Sequence, residues 1–276
     1  MAKALITAEK CFVPKTKEEE DETERVYNSY RDIISTLPRT KGWATQHLCQ
    51  YQGFWFQPLV GLEGIMWMQQ HFTSRPTDIY LVSSPKSDPE ILPSPRIFAT
   101  HMPFTSLPDS IKDSSCPIVY ISRNPKDVLV SSWQFVNKVK PKDLPPLLLE
   151  EAFEMFSEAI SPYGSFWDQV LGYWKASLEL PEKIHFLKYE DIKKEPLLNI
   201  KRVAGFVGRP FCLQEEENGT VQEILKLCNF DNMKNLEVNK NGLYRVRKTK
   251  NDAFFREGKV GDWKNYLTNE MAERTS

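Results

Sequence analysis

Short apolar runs alternate with longer stretches of helical spacing along this chain. Four runs, "DIYLVSS" (78–84), "RIFATH" (96–101), "CPIVYIS" (116–122) and "KIHFLKY" (183–189), are rich in β-branched and aromatic residues and too short for helices. They predict buried strands. Helical patterns cover 60–72, 125–138, 147–174 and 191–207, and "KTKEEEDETERVYNSYRDIIST" (15–36) reads as an exposed acidic helix closed by Leu37-Pro38. The cluster "YQGFWF" (51–56) is aromatic, and the stretch 239–266 is basic and loop-like. Strands alternating with helices predict an α/β fold, a mostly parallel sheet flanked by helices on both faces.

Composition narrows the function classes. The 276 residues, with no internal repeat, predict a single domain over 1–276 with a sizeable core, its acidic N-terminal segment at 1–40 and its loop and tail at 239–276. A net charge of −1 exerts no pull toward nucleic acid or anionic membrane, so neither partner is expected. No run approaches the length of a membrane span, and the first 26 residues fit neither a secretory signal nor a transit peptide, which predicts a cytoplasmic protein. Five scattered cysteines contain no C-x-x-C pair, and none of the four histidines has helical ligand spacing, so no metal is expected.

The sharpest local signal is "IVYISRNPKDVLVSSWQF" (118–135), where a buried strand delivers Arg123 onto a helix start. Asn124 suits the N-cap, Pro125 the first helical position, and Asp127 the third position of a capping box. Free amides and the positive end of the helix favour an anion there; Arg123 adds a bidentate fork and Ser131 a hydroxyl. Plain helix capping beside a surface arginine accounts for the same residues. His101 falls at the carboxyl end of a predicted strand, where open α/β sheets bind ligands, although a lone histidine is more often structural. "FFREGKVGDWKNY" (254–266) sets two glycines around basic and aromatic residues, a segment that lets amides approach an anion, or an ordinary surface loop. Tyr189 in "KYEDI" can face a flat ring or simply pack. "LVSSPKSDPEIL" (81–92) begins as a phosphate loop, with Lys86 and Ser87, and continues as Asp88-Pro89-Glu90. No Gly-x-x-x-x-Gly-Lys-Ser/Thr motif exists, which excludes a P-loop NTPase.

In order, "YQGFWF", "RPTDIYLVSSPKS", "LPSPRIFATHMPF", "IVYISRNPKDVLVSSWQF", "KIHFLKYEDIKKEP", "NFDNMKNLEVNKNG" and "FFREGKVGDWKNYL" resemble the cytosolic sulfotransferase family, in its plant branch acting on flavonoids, steroids and related molecules. The resemblance spans about residues 25 to 268. It implies a P-loop-like sulfotransferase fold and transfer of a sulfonate from 3′-phosphoadenosine 5′-phosphosulfate (PAPS) to a hydroxyl of a small hydrophobic acceptor, without a metal. Position by position, it implies that Arg123, Ser131, Arg256 and Gly258 hold the 3′-phosphate, with Tyr189 and Phe230 beside the adenine. Lys86 and Ser87 would face the 5′-phosphosulfate, Lys86 stabilising the leaving phosphate, and His101 would be the general base.

The departures are specific. The family's loop continues Pro-Lys-Ser-Gly-Thr-Thr-Trp into a helix, and neither the second half of the loop nor the helix has a counterpart after Ser87, which reads as an internal deletion. Residues 85–95 contain four prolines and cannot form a crossover helix. Either the link leaves one face of the sheet uncovered, or the strands on its two sides do not both join the sheet. Glu257 replaces a lysine of the family's clamp, and Asn269 breaks the relatives' C-terminal dimer motif, so dimerisation by that route is not expected. Two functions follow: a PAPS-dependent sulfotransferase, or a catalytically impaired remnant that at most binds nucleotide or small molecules.

Overall fold

In the computed structural model, which describes residues 16–43, 45–82, 95–244 and 249–275, all four apolar runs form strands of one parallel sheet. The chain opens with helix α1 (Lys17–Thr36) and an antiparallel meander, β1 (Arg39–Lys41), β2 (His47–Tyr51) and β3 (Phe54–Phe56). After a π-helical turn, α2 (Glu63–His71) leads to β4 (Ile79–Val82), then β5 (Ile97–Thr100) and a short α3 (Asp109–Lys112). Next come β6 (Ile118–Ser122), α4 (Pro125–Val139), α5 (Leu149–Ser157), α6 (Phe166–Glu179) and β7 (Ile184–Lys188). The remainder is α7 (Tyr189–Lys194), α8 (Pro196–Phe206), α9 (Leu213–Glu217), α10 (Thr220–Leu227), α11 (Phe230–Asn235), α12 (Glu237–Asn241), the two-residue strands β8 (Leu243–Tyr244) and β9 (Thr249–Lys250), and α13 (Asn269–Arg274).

The sheet order is β5-β4-β6-β7, every pair parallel. One face carries Tyr80, Val82, Phe98, Ile118, Tyr120 and Ile184, all buried against α1, α2 and α6. α1 joins this core because Thr23, Tyr27, Tyr30 and Ile34 recur at helical spacing on one side, while its acidic residues remain outside. A second cluster joins α4 and α5 through Leu129, Val130, Phe153 and Phe156, with Trp43 and Leu267 closing it.

The structure decides between the two expectations for the short β4–β5 link. Both strands join the sheet in parallel register, Ile79 opposite Ile97 and Val82 opposite Thr100. On the outer face, however, Ile97 is 59% exposed, and Ile79, Leu81 and Ala99 are only half-buried. Apolar exposure on that face is the consequence expected of an uncovered parallel sheet. The postulated missing helix itself falls at 83–94, outside the described residues.

What pins this edge is a buried ion pair at the start of the two strands. Arg96 Nε donates to Asp78 Oδ1 at 2.7 Å, and Nη2 reaches Oδ2. The Arg75 amide (2.7 Å) and the Tyr80 hydroxyl (3.3 Å) also donate to Oδ2. Arg96 lies over the rings of Phe98 and Phe72, at 4.9 and 5.8 Å. Burial alone would raise the Asp78 pKa, but these donors, led by the guanidinium, outweigh it and hold the carboxyl below its ordinary value.

Several boundaries differ from the sequence expectation. The 147–174 pattern is two helices, α5 and α6, separated by a loop with positive φ at Ala159, Tyr163 and Gly164. The 191–207 pattern is also two, α7 and α8, because Pro196 starts a new helix. "YQGFWF" is a hairpin rather than a mere cluster, turning at Gln52 and Gly53 with φ of 52° and 84°, the sign pair of a type I′ turn. The 239–266 stretch is largely short helices and bridges, and its neighbour 213–238 holds helices that periodicity did not separate.

Candidate functional site

A cavity of about 1210 Å³ opens above the carboxyl ends of the strands. The strand order reverses between β4 and β6, the position where open α/β sheets form a ligand crevice. His101, Arg123, Ser131, Tyr189, Phe230, Arg256 and Gly258 all line this cavity, so it brings together seven predicted site residues from five stretches of chain. Lys86 and Ser87, the remaining two, lie outside the described residues.

The anion side is built at the β6–α4 junction. Asn124 caps α4 as expected, its side chain accepting from the Lys126 amide at 3.0 Å. Asp127, by contrast, is not the closing member of a capping box. Its fully buried carboxylate accepts from the amides of Gly261 (2.8 Å) and Trp263 (3.1 Å), tying a distant loop to α4. Glu190 takes the Asn124 amide instead, at 2.9 Å, and so couples α7 to the same junction.

Arg123 Nη2 donates to the Lys259 carbonyl at 3.0 Å, and its guanidinium lies 5.0 Å above the Tyr189 ring. Tyr189 in turn donates to the Gly258 carbonyl at 3.3 Å. Gly258 adopts φ of 63°, and a Cβ there would sit 2.5 Å from the Phe230 ring, so this contact admits only glycine. Arg256 pairs with Asp262, whose carboxyl is held below its ordinary value because Arg256 and Asn265 outweigh the opposing effect of burial.

Two atoms test whether the site suits a phosphate. The Nε groups of Arg123 and Arg256 are buried and make no hydrogen bond among the described residues. Buried polar groups are nearly always satisfied, and two guanidinium donors left over in one cavity are an arrangement that an anionic ligand completes. The residues present therefore fit an anionic group such as a phosphate.

Across the cavity, His101 follows β5 and is 8% exposed. Its backbone carbonyl accepts from Gln169 Nε2 at 2.5 Å, and the next carbonyl, of Met102, accepts from the Tyr173 hydroxyl at 2.8 Å. The Tyr163 ring meets the imidazole edge to face at 5.1 Å. Trp43, Ile65, Met68, Met102, Leu107 and Phe166 supply an apolar part of the lining.

Asp127, Glu190 and Tyr163 were not recognised from sequence as site builders. For Tyr163 a signal existed, since Ser161-Pro162-Tyr163-Gly164 is turn chemistry inside a helical pattern. Replacing Asp127 by alanine is expected to cost about 3 kcal/mol, since it strands two amides that now donate to a charge. Urea unfolding checks the loss of stability, and nucleotide titration of the folded variant checks the accompanying loss of the clamp.

Comparison with known proteins agrees with this geometry. A family model described as a sulfotransferase domain matches residues 15–276. Cytosolic sulfotransferase 16 of Arabidopsis thaliana is 39% identical over 304 positions, covering 92% of this chain and 90% of the relative. Flavonol 4′-sulfotransferase of Flaveria chlorifolia is 40% identical over 303 positions, covering 91% and 94%. Among solved structures, an Arabidopsis thaliana putative steroid sulphotransferase aligns with a TM-score of 0.66 at 31% identity, over 96% of this chain and 95% of that one. A mouse sulfotransferase complexed with PAP aligns with a TM-score of 0.67 at 26% identity, over 82% and 90%. Because 92% of 276 residues is about 254, about 50 of the 304 aligned positions have no counterpart in this chain.

Proposed function

The chain belongs to the sulfotransferase family, and from that premise we propose that it moves a sulfonate group from PAPS to the hydroxyl of a small hydrophobic acceptor, with His101 as general base. PAPS, when bound, supplies an activated sulfonate on a phosphosulfate anhydride. Arg123 and Arg256 hold the 3′-phosphate with their free Nε donors, and Ser131 adds its hydroxyl from α4. Tyr189 and Phe230 bracket the adenine. Lys86 and Ser87, by the family resemblance, would serve the 5′-phosphosulfate. His101 accepts the acceptor's hydroxyl proton on an imidazole nitrogen. Histidine suits this role because imidazole exchanges a proton readily near neutral pH. Sulfonate transfer, like phosphoryl transfer, depends on positioning and charge neutralisation more than on covalent help from the protein.

The observation that carries this reading is that one cavity joins His101 to two buried guanidinium donors. The apolar lining supports a flat or polycyclic acceptor, and the relatives' names point to flavonols and steroids. The name shared by several relatives, cytosolic sulfotransferase, supports a cytoplasmic setting.

A second reading, nucleotide binding without transfer, is favoured by the roughly fifty unmatched positions and by Asp88 and Glu90 following Ser87. Both readings require the 3′-phosphate clamp to bind. Adenosine 3′,5′-bisphosphate (PAP) at one hundred times its Kd is expected to stabilise the fold by about 2.7 kcal/mol. That raises the melting midpoint by about 5–10 °C for a chain of this size. A cooperative melt indifferent to PAP contradicts the clamp assignment.

A further inference from the structure

We propose that Tyr163 is a positioning residue for His101, fixing the imidazole inside the cavity through ring contact; this rests on the reading of His101 as the base. The loop between α5 and α6 turns through three residues of positive φ, Ala159 (63°), Tyr163 (71°) and Gly164 (91°). For a bulky residue such as tyrosine that conformation is rare, and it persists only where surrounding structure over-determines it. Here two contacts do so. Gly164 lies so close to β3 that a Cβ would sit 2.1 Å from the Phe54 ring, and Ser161 Oγ donates to the Gly164 carbonyl across the turn.

The strained turn presents the Tyr163 ring between two others. It meets the His101 imidazole at 5.1 Å and 67°, and the buried Phe56 of β3 at 6.3 Å and 85°. Behind it, α6 begins at the Ser165 cap and sends Gln169 to the His101 carbonyl and Tyr173 to the Met102 carbonyl. One segment, 161–173, therefore sets both the backbone and the ring of the histidine. To these backbone bonds the tyrosine adds an edge-to-face contact with the imidazole itself. Strain concentrated at a contact with a candidate base is the pattern seen where pre-organisation serves catalysis.

The test uses the full chain and separates ring from backbone. Tyr163→Phe keeps the ring. Tyr163→Asn removes it while retaining a residue that tolerates left-handed φ, so the turn survives. Gly164→Ala pushes the turn off Phe54 and displaces the ring by a second route. The readout is the imidazole proton and carbon signals of His101, assigned among four histidines by comparison with His101→Asn. It is paired with kcat and with PAP affinity.

Tyr163→Phe, which keeps the ring, is predicted to leave the His101 signals in place. Tyr163→Asn and Gly164→Ala are predicted to shift and broaden the His101 signals. They should also lower kcat by about tenfold to a hundredfold, as misplacement of a reacting group does, with PAP affinity unchanged. Unaltered His101 signals in Tyr163→Asn overturn the proposal, even if kcat falls, because tyrosine would then act on the acceptor directly. A chain that sulfates nothing defeats the sulfotransferase reading but leaves the proposal decided by the imidazole signals alone.

Discussion

Replacing Arg96 by methionine is expected to lower the stability of the chain by about 3–5 kcal/mol, the range for removing one partner of a buried ion pair. Asp78 is fully buried, and among the described residues the substitution leaves its charge with the Arg75 amide and the Tyr80 hydroxyl. The effect is large because of where the pair sits. The chain between β4 and β5 carries four prolines in 85–95, and Ile97 on the outer face is more exposed than a parallel-sheet residue should be. Less apolar burial therefore holds this edge, and the pairing of Asp78 with Arg96 bears more of the register. Chemical denaturation of the variant measures the loss.

The same pair has a pH signature. The Asp78 carboxyl is held below its ordinary value in the folded state, so the unfolded state binds its proton more readily. Its contribution is fully present above the unfolded carboxylate pKa, about 3.9, and is lost as pH falls through the lower folded value. The wild type should thus lose stability more steeply under acid than Arg96→Met. Equal acid sensitivity in the two would mean that the guanidinium does not stabilise the carboxylate.

Substituting His101 by alanine is expected to lower kcat by about a hundredfold to ten-thousandfold, the contribution of a positioned general base. That corresponds to about 3–5 kcal/mol of barrier. PAP affinity should hardly change, because the 3′-phosphate donors come from the β6–α4 junction and the 256–263 loop, across the cavity from β5. This split distinguishes a base from a residue that merely supports the fold, which would weaken nucleotide binding as well. A His101→Ala chain with undiminished turnover removes histidine from the mechanism.

The strands of the central sheet were legible because each is a β-branched run with no competing helical spacing, and Arg123 and His101 were legible because they end such strands. The meander β1–β3 was not, since its strands are three to five residues long and its turn reads locally as an aromatic cluster. The break between α5 and α6 was written in Pro162 and Gly164 but overridden by apolar spacing on both sides. Asp127 shows the deeper difficulty. Its position after Asn124 fits a capping box, while its actual partners lie more than 130 residues further along. Local pattern identifies the acid and cannot identify what it holds. The four prolines in 85–95, set against the family's longer loop, made the apolar exposure of Ile97 at this edge foreseeable.

Transfer of radiolabel from PAPS to a flavonol or a hydroxysteroid, by the wild-type chain beside His101→Ala, tests the central claim most directly. The account predicts labelled acceptor with the wild type and a loss of at least a hundredfold with the variant. A wild-type chain that melts higher in PAP yet labels neither class of acceptor would contradict it, and would make this protein a nucleotide-binding descendant of sulfotransferases instead of a working one.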